Sequence, residues 1–96
     1  MSQIEVVAIF KVKPSDSAKA AELLKACTAP SRAESTNDTY IPCRDLDADG
    51  TFVFIERWDS REALQAHMET PHFKAMASAL EPLLIEPLKV HILQPV

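Results

Sequence analysis

Glycine is nearly absent from this sequence, because Gly50 is the only one in 96 residues. Loops that cradle phosphates or dinucleotides need glycines where the backbone approaches the ligand. A P-loop and a Rossmann fingerprint are therefore excluded. The chain also has no internal repeat and no low-complexity tract, and its seven prolines are scattered. These features predict one domain over residues 1–96.

Basic runs are absent as well, and the formal net charge is -4 with a pI near 5.2. Nucleic acids and anionic membranes are bound through cationic patches, so neither is an expected partner. No apolar run approaches the roughly 20 residues of a membrane span, and the first residues lack the pattern of a signal peptide. Cys27 and Cys43 have no CxxC spacing, which is typical of reduced thiols. We expect a cytoplasmic protein.

Strands are the clearest local signal that is present. Alternating apolar residues predict strands over residues 3–13 and 51–58, and both are apolar on two faces at their centres. Such strands are expected to be central in the sheet, or to be covered twice, once by helices and once by another subunit. Residues 39–44 predict a third strand, at an edge or with a bulge because Pro42 cannot donate a ladder hydrogen bond. A fourth strand is predicted over 88–93.

Two helices are predicted between these strands. An i, i+3, i+4 apolar stripe indicates a first helix that is capped by Ser15 or Asp16 and ends near Pro30. Residues 31–38 are polar and predict a loop. Asp59 and Glu62 resemble a capping box at the start of the second helix.

The second helix is interrupted at Pro71, and its second piece is expected to run to about residue 85. The predicted order is therefore strand, helix, strand, strand, helix, strand. This is the α+β, ferredoxin-like βαββαβ arrangement with a four-stranded antiparallel sheet. Helices would cover one sheet face, and the apolar second face predicts a homodimer whose sheets form a dimeric α/β-barrel.

The segment Phe52-Val-Phe-Ile-Glu-Arg-Trp-Asp-Ser-Arg-Glu-Ala-Leu-Gln-Ala-His67 resembles the signature of the antibiotic-biosynthesis-monooxygenase (ABM) family, in which a strand ending in Glu-x-Trp leads into a helix carrying Ala-His. Residues 70–73, 29–34 and 11–14 also resemble family segments, so the resemblance covers nearly the whole chain. Ser35-Thr36-Asn37 depart from the usual Pro-Gly-Cys. Family members include cofactor-independent quinol and anthrone oxygenases, an isomerase of a quorum-signal breakdown product and relatives that degrade haem.

His67 and Glu56 are the candidate catalytic residues. An imidazole suits proton transfer near neutral pH, although a hydrogen-bonded structural role for His67 is an equal alternative. Glu56 shares a strand parity with Trp58 and two phenylalanines, so its pKa would be raised and it would act with His67 as an acid/base pair. The alternative is that these aromatic rings are core and that Glu56 pairs with an arginine.

Trp58, His72 and Phe73 are the candidate substrate-binding residues, because an indole N–H can hold a ligand oxygen and a helix break can form a pocket lip. A solvated His72 is the alternative. Arg32 and Glu34 match family positions, which a surface ion pair would explain equally well.

No metal or cofactor is expected. The five-residue spacing of His67 and His72 is not the i, i+4 pair that places two ligands on one helix face. The acidic turn at 45–50 lacks the glutamate at position 12 of a calcium loop. Cys27 is expected to be buried and to pack against its neighbours rather than to act as a nucleophile.

The leading hypothesis is a cofactor-independent monooxygenase that oxidises a small quinol or polyphenolic substrate with O2, as the resemblance implies. An isomerase of a small oxygenated metabolite would use the same acid/base pocket. A dimer that only binds a small molecule is the alternative outside enzymes.

Overall fold

The computed structural model describes residues 3–96. Its four strands are β1 (Ile4–Lys11), β2 (Asn37–Arg44), β3 (Thr51–Trp58) and β4 (Lys89–Leu93). Its three α-helices are α1 (Ser17–Arg32), α2 (Arg61–Met68) and α3 (Pro71–Leu80), with single 3-10 turns at Pro14–Asp16 and Glu81–Leu83. The antiparallel sheet has the order β2-β3-β1-β4, which confirms the ferredoxin-like prediction.

The two strands predicted to be central, β1 and β3, are the inner pair of the sheet. Alternate residues of β1 point toward the helices and are buried, including Val6 and Phe10. The intervening residues of both strands point to the opposite face, where Ile55 remains 44% exposed. The sheet therefore has one face covered by helices and one open face, as predicted.

The edge position predicted for the proline-containing strand is confirmed. β2 pairs only with β3 in the described sheet, and its register shifts between Asn37 and Thr39. Pro42 lies opposite Phe54 in this ladder. An edge strand tolerates a missing amide donor because one of its sides has no ladder partner.

Helix ends differ from the predictions. α1 continues past Pro30 to Arg32, because a proline removes one donor while the amide of Ala33 still donates to the carbonyl of Ala29. Neither Ser15 nor Asp16 caps it through a side chain; a 3-10 turn leads into the helix instead.

The start of α2 and the end of α3 also differ from their predicted positions. Ser60, not Asp59, caps α2 by accepting a hydrogen bond from the amide of Ala63 at 3.1 Å. α3 ends at Leu80 rather than near residue 85, because Pro82 follows and disfavours further α-helix before it. None of the helices in residues 3–96 is long and apolar enough to cross a bilayer.

Gly50 closes the β2–β3 hairpin against β1, with a φ of 84°. A Cβ at this position would lie 2.3 Å from the carbonyl oxygen of Val12. We expect Gly50→Ala to lower the free energy of unfolding by about 2 kcal/mol or more, because both the backbone conformation and the contact are unfavourable. Urea denaturation measures this. Asp49→Ala, in the same turn but exposed, is the control and should change stability by less than about 0.5 kcal/mol; equal effects of the two changes would contradict the prediction.

Candidate functional site

A cavity of about 610 Å³ lies between the helix-covered sheet face and the helices α2 and α3. Its walls are mainly apolar, and its polar lining comes from Tyr40, Glu56, His67 and two glutamates near the end of α3 and beyond it, Glu81 and Glu86. The apolar wall includes Leu64, Met68, Phe73, Met76, Leu80, Leu84, Val90 and Ile92. Such a lining suits an apolar small molecule that carries few polar groups.

Glu56 enters this cavity from β3. Strand alternation turns its side chain toward the helices together with Phe54 and Trp58, and it is 6% exposed. The indole N–H of Trp58 donates to Glu56 Oε1 at 2.8 Å. Burial, the largest effect, and the negative charge of Glu34 together raise the pKa of Glu56 to about 7, against the lowering effect of the indole bond. Glu56 therefore exchanges a proton near neutral pH.

His67 comes from the last turn of α2 and is almost completely buried. Its Nδ1 donates to Glu34 Oε2 at 2.7 Å, and Nε2 of His72 donates to the same oxygen at 2.8 Å. We call these three residues the Glu34 cluster. Because a carboxylate oxygen accepts hydrogen bonds and cannot donate them, the proton of neutral His67 lies on Nδ1. The lone pair is then on Nε2.

The Nε2 atom of His67 is the ring nitrogen that has no hydrogen bond to residues 3–96. The ring lines the cavity and packs 4.4 Å from the Trp58 ring and 5.1 Å from Phe73. Burial lowers the pKa of His67, against the opposite effect of Glu34, which keeps the imidazole neutral and able to accept a proton.

Glu56, His67 and Phe73, all selected from the sequence, line one cavity. Trp58 is different, because its ring is fully buried and its N–H is already bound to Glu56. It is placed to hold the carboxyl group rather than a ligand oxygen. Tyr40 also lines the cavity, and its hydroxyl donates to Cys27 Sγ at 3.6 Å.

His72 is not the solvated residue that the sequence allowed, because Glu34 binds it and its side chain is only 21% exposed. The alternative in which Glu56 pairs with an arginine is also wrong: Arg57 binds Glu5 at 2.6 Å and Asp38 at 3.3 Å on the open sheet face.

Glu34 is the site residue that sequence reasoning left undecided. It does not pair with Arg32, whose Nε donates to the carbonyl of Tyr40. The match of residues 29–34 to a family segment was the available signal. The spacing argument about His67 and His72 assumes one helix face, and it does not apply because α2 ends at Met68 and α3 begins at Pro71. The break lets both imidazoles reach one carboxylate.

The profile of the Antibiotic biosynthesis monooxygenase family matches residues 3–79. The chain belongs to this family. It is 32% identical over 87 residues to the Bacillus subtilis protein named "Putative monooxygenase YcnE", which covers 91% of this chain and 92% of that protein. It is 33% identical over 94 residues to "Putative monooxygenase Rv0793" of Mycobacterium tuberculosis, covering 98% and 92%.

The solved structure of the M. tuberculosis protein superposes on this member of the ABM family with a TM-score of 0.92, over 99% of this chain and 96% of that one. "Probable quinol monooxygenase YgiN" of Escherichia coli K12 is 42% identical over 48 residues, which is 50% of this chain and 45% of that protein. The chain spans 60% of the length of a longer Synechocystis relative, with 33% identity over 89 residues. The ABM fold is thus shared along almost the whole chain.

The raised pKa of Glu56 predicts a pH-dependent loss of stability. Between its usual value of 4.5 and about 7, the folded protein holds this proton more firmly than the unfolded chain does, so stability falls as pH rises through this range. Relative to Glu56→Gln, which keeps an acceptor for Trp58, wild type should lose on the order of 3 kcal/mol between pH 4 and 8, at about 1.4 kcal/mol per pH unit. Urea denaturation of both proteins across this range measures the difference. Parallel stability curves would show that Glu56 has an ordinary pKa.

Proposed function

We propose that this protein is a cofactor-independent monooxygenase that oxidises a small quinol or polyphenol with O2. The observation that carries the proposal is the meeting of two titratable groups in the lining of one apolar cavity: a carboxyl group with a pKa of about 7 and a neutral imidazole whose Nε2 has no hydrogen bond to residues 3–96. Family membership supports oxygenase chemistry, and the name of the E. coli relative supports a quinol.

His67 is proposed as the base. Its Nε2 would take the proton of a phenolic hydroxyl, while Glu34 holds the ring through Nδ1 and compensates the imidazolium that forms. Deprotonation makes the ring electron-rich, so that it can pass one electron to O2. Recombination of the resulting ring radical with superoxide at a hydrogen-bearing ring carbon forms a peroxide anion, which takes back the proton held by His67 to give a hydroperoxide. Loss of water, made from the hydrogen of that carbon and the outer OH group, leaves a carbonyl group there.

Glu56 is proposed as the acid. In its protonated form it donates to an oxygen of the substrate, and Trp58 orients it through Oε1. The apolar walls exclude water, which strengthens both hydrogen bonds and limits side reactions of the oxygen intermediates. A cavity of about 610 Å³ is large enough for a substrate with one or two fused rings.

Oxygen uptake with a panel of benzo- and naphthoquinols tests the proposal. We expect enzyme-dependent uptake, and His67→Ala should lower kcat by about 100-fold or more because the general base is lost. Gln65→Ala is the control, since Gln65 is exposed on the same helix as His67, does not line the cavity and should retain full activity. No uptake above the uncatalysed rate with any quinol, or equal rates for the two variants, would overturn the assignment.

An isomerase would use the same two groups without oxygen. Glu56 and His67 would protonate and deprotonate neighbouring atoms of one substrate, as the acid/base pair permits. Turnover of a substrate under anaerobic conditions would favour this second candidate, whereas the proposed monooxygenase stops when O2 is removed.

We also propose that the protein forms a homodimer through the open sheet face. This face carries an apolar patch on four neighbouring strands that includes Ile41 at 43%, Ile55 at 44% and Leu93 at 46% exposure. The patch lies on the side of the sheet opposite to the cavity, where no helix covers it. Apolar surface of this kind is stabilised by a second copy that removes it from water.

Substitution on the patch tests the dimer. Ile55→Glu should yield a monomer, because it would bury an unpaired charge in the interface. Leu46→Glu is the control, since Leu46 is 92% exposed in the β2–β3 turn, and it should remain dimeric. Sedimentation velocity distinguishes the two states. Wild type that sediments as a 10.7-kDa monomer would contradict the proposal.

A further inference from the structure

Three metal-ligating atoms meet in the Glu34 cluster. Glu34 Oε2, His67 Nδ1 and His72 Nε2 lie within 4.8 Å of one another, and within residues 3–96 this is the one group of three or more His, Cys, Asp or Glu side chains that could hold an ion. The acidic turn at 45–50 does not converge in this way. Two imidazoles and one carboxylate form a donor set that suits Zn²⁺, Fe²⁺, Co²⁺ and Ni²⁺.

We propose that the Glu34 cluster is a binding site for a divalent transition-metal ion, with Glu34, His67 and His72 as its three protein ligands. Each ligand comes from a different part of the chain: the turn after α1, the end of α2 and the first turn of α3. A fourth coordination position would be left for water or a ligand, as in open metal sites.

The distances indicate what the ion has to change. The two contacts to Glu34 Oε2, at 2.7 and 2.8 Å, are hydrogen-bond lengths. Two ligands of a tetrahedral ion with bonds of about 2.0–2.1 Å stand roughly 3.3 Å apart. Glu34 must therefore withdraw by about half an ångström, and the two imidazole nitrogens, which lie within 4.8 Å of each other, must also come to this spacing. Glu34 lies in the short connection between α1 and β2, outside any helix or strand, so its own movement does not disturb regular structure.

Access and charge also favour a cation. The side chains of Glu34 and His72 are 16% and 21% exposed, so an ion can enter from the solvent side while His67 holds it from the interior. Glu34 supplies one negative charge, and the net charge of the chain is -4. Binding needs no further protein ligand and no co-reactant.

The ion would change which atom of His67 carries the proton. In the hydrogen-bonded cluster the proton lies on Nδ1, because Glu34 accepts it. A metal on Nδ1 needs that lone pair, so the proton of the neutral ring moves to Nε2. Nε2 then turns from a hydrogen-bond acceptor into a donor. Occupation of the site would therefore inhibit any reaction in which Nε2 acts as a base.

Calorimetry with Zn²⁺ tests the site on the full chain. We expect one ion per chain with a Kd of about 10 μM or tighter. His72→Ala and Glu34→Gln should each weaken binding by at least about 100-fold, because each removes a ligand. His91→Ala retains the cluster and should bind as wild type does. His72 and Glu34 lie near the surface, and circular dichroism of each variant checks that it is folded.

Two spectroscopic measurements complete the test. Co²⁺ in the cluster should show the intense visible bands of a low-symmetry four-coordinate site, and these bands should be absent in His72→Ala. Imidazole ¹⁵N shifts should place the His67 proton on Nδ1 without metal and on Nε2 with Zn²⁺. The proposal is overturned if Zn²⁺ does not bind at 100 μM, if His72→Ala and Glu34→Gln bind it as tightly as wild type, or if the ¹⁵N shifts do not change. None of these readouts depends on turnover, so they stand apart from the proposed oxygenase activity.

Discussion

A single carboxylate oxygen, Glu34 Oε2, accepts hydrogen bonds from imidazoles on two different helices. This contact joins the connection after α1 to the end of α2 and the start of α3, which are distant in the sequence. It also satisfies the buried polar atom of His67, which would otherwise lose a hydrogen bond in an apolar setting. The orientation of His67, and with it the chemistry of one cavity wall, depends on this oxygen.

The surroundings of Glu56 differ from those of Glu34. It has one neutral donor, the indole of Trp58, whereas Glu34 has two imidazole donors. Burial and, to a smaller extent, the charge on Glu34 raise the pKa of Glu56 to about 7. Two carboxyl groups near one apolar cavity thereby suit different tasks: Glu34 holds the imidazole ring, and Glu56 has the pKa that its proposed proton exchange requires. Their environments, not their residue type, separate these tasks.

The sequence predicts the sheet well because the side chains of a strand such as β3 alternate between two faces with a period of two residues. This alternation can be read from the local sequence alone. The central positions of β1 and β3 follow from their doubly apolar pattern, and the edge position of β2 follows from Pro42. Helix ends are less predictable. Serine and aspartate are both good N-cap residues, so residue type alone does not decide whether Ser60 or Asp59 caps α2. The local backbone geometry decides it.

The candidate site was only half predictable for a related reason. Glu56 and His67 could be selected because residue chemistry and strand parity are local properties. Glu34 makes its two contacts across 33 and 38 residues, and only the packing of α1 beside α3 brings it there. A spacing rule for one helix cannot detect a pair of histidines that converge because the helix breaks between them.

The same break explains why the cluster has two alternative states. In one state, Glu34 accepts both imidazole protons and leaves His67 Nε2 as an acceptor in the cavity. In the other, an ion takes the place of those protons and Nε2 becomes a donor. Both states use the same three side chains, so they exclude each other, and a metal in the cluster would compete directly with the base function proposed for His67. The reaction proposed for the cavity thus requires the ion-free state. The affinity of the cluster for the metal determines the fraction of the protein that is in this state.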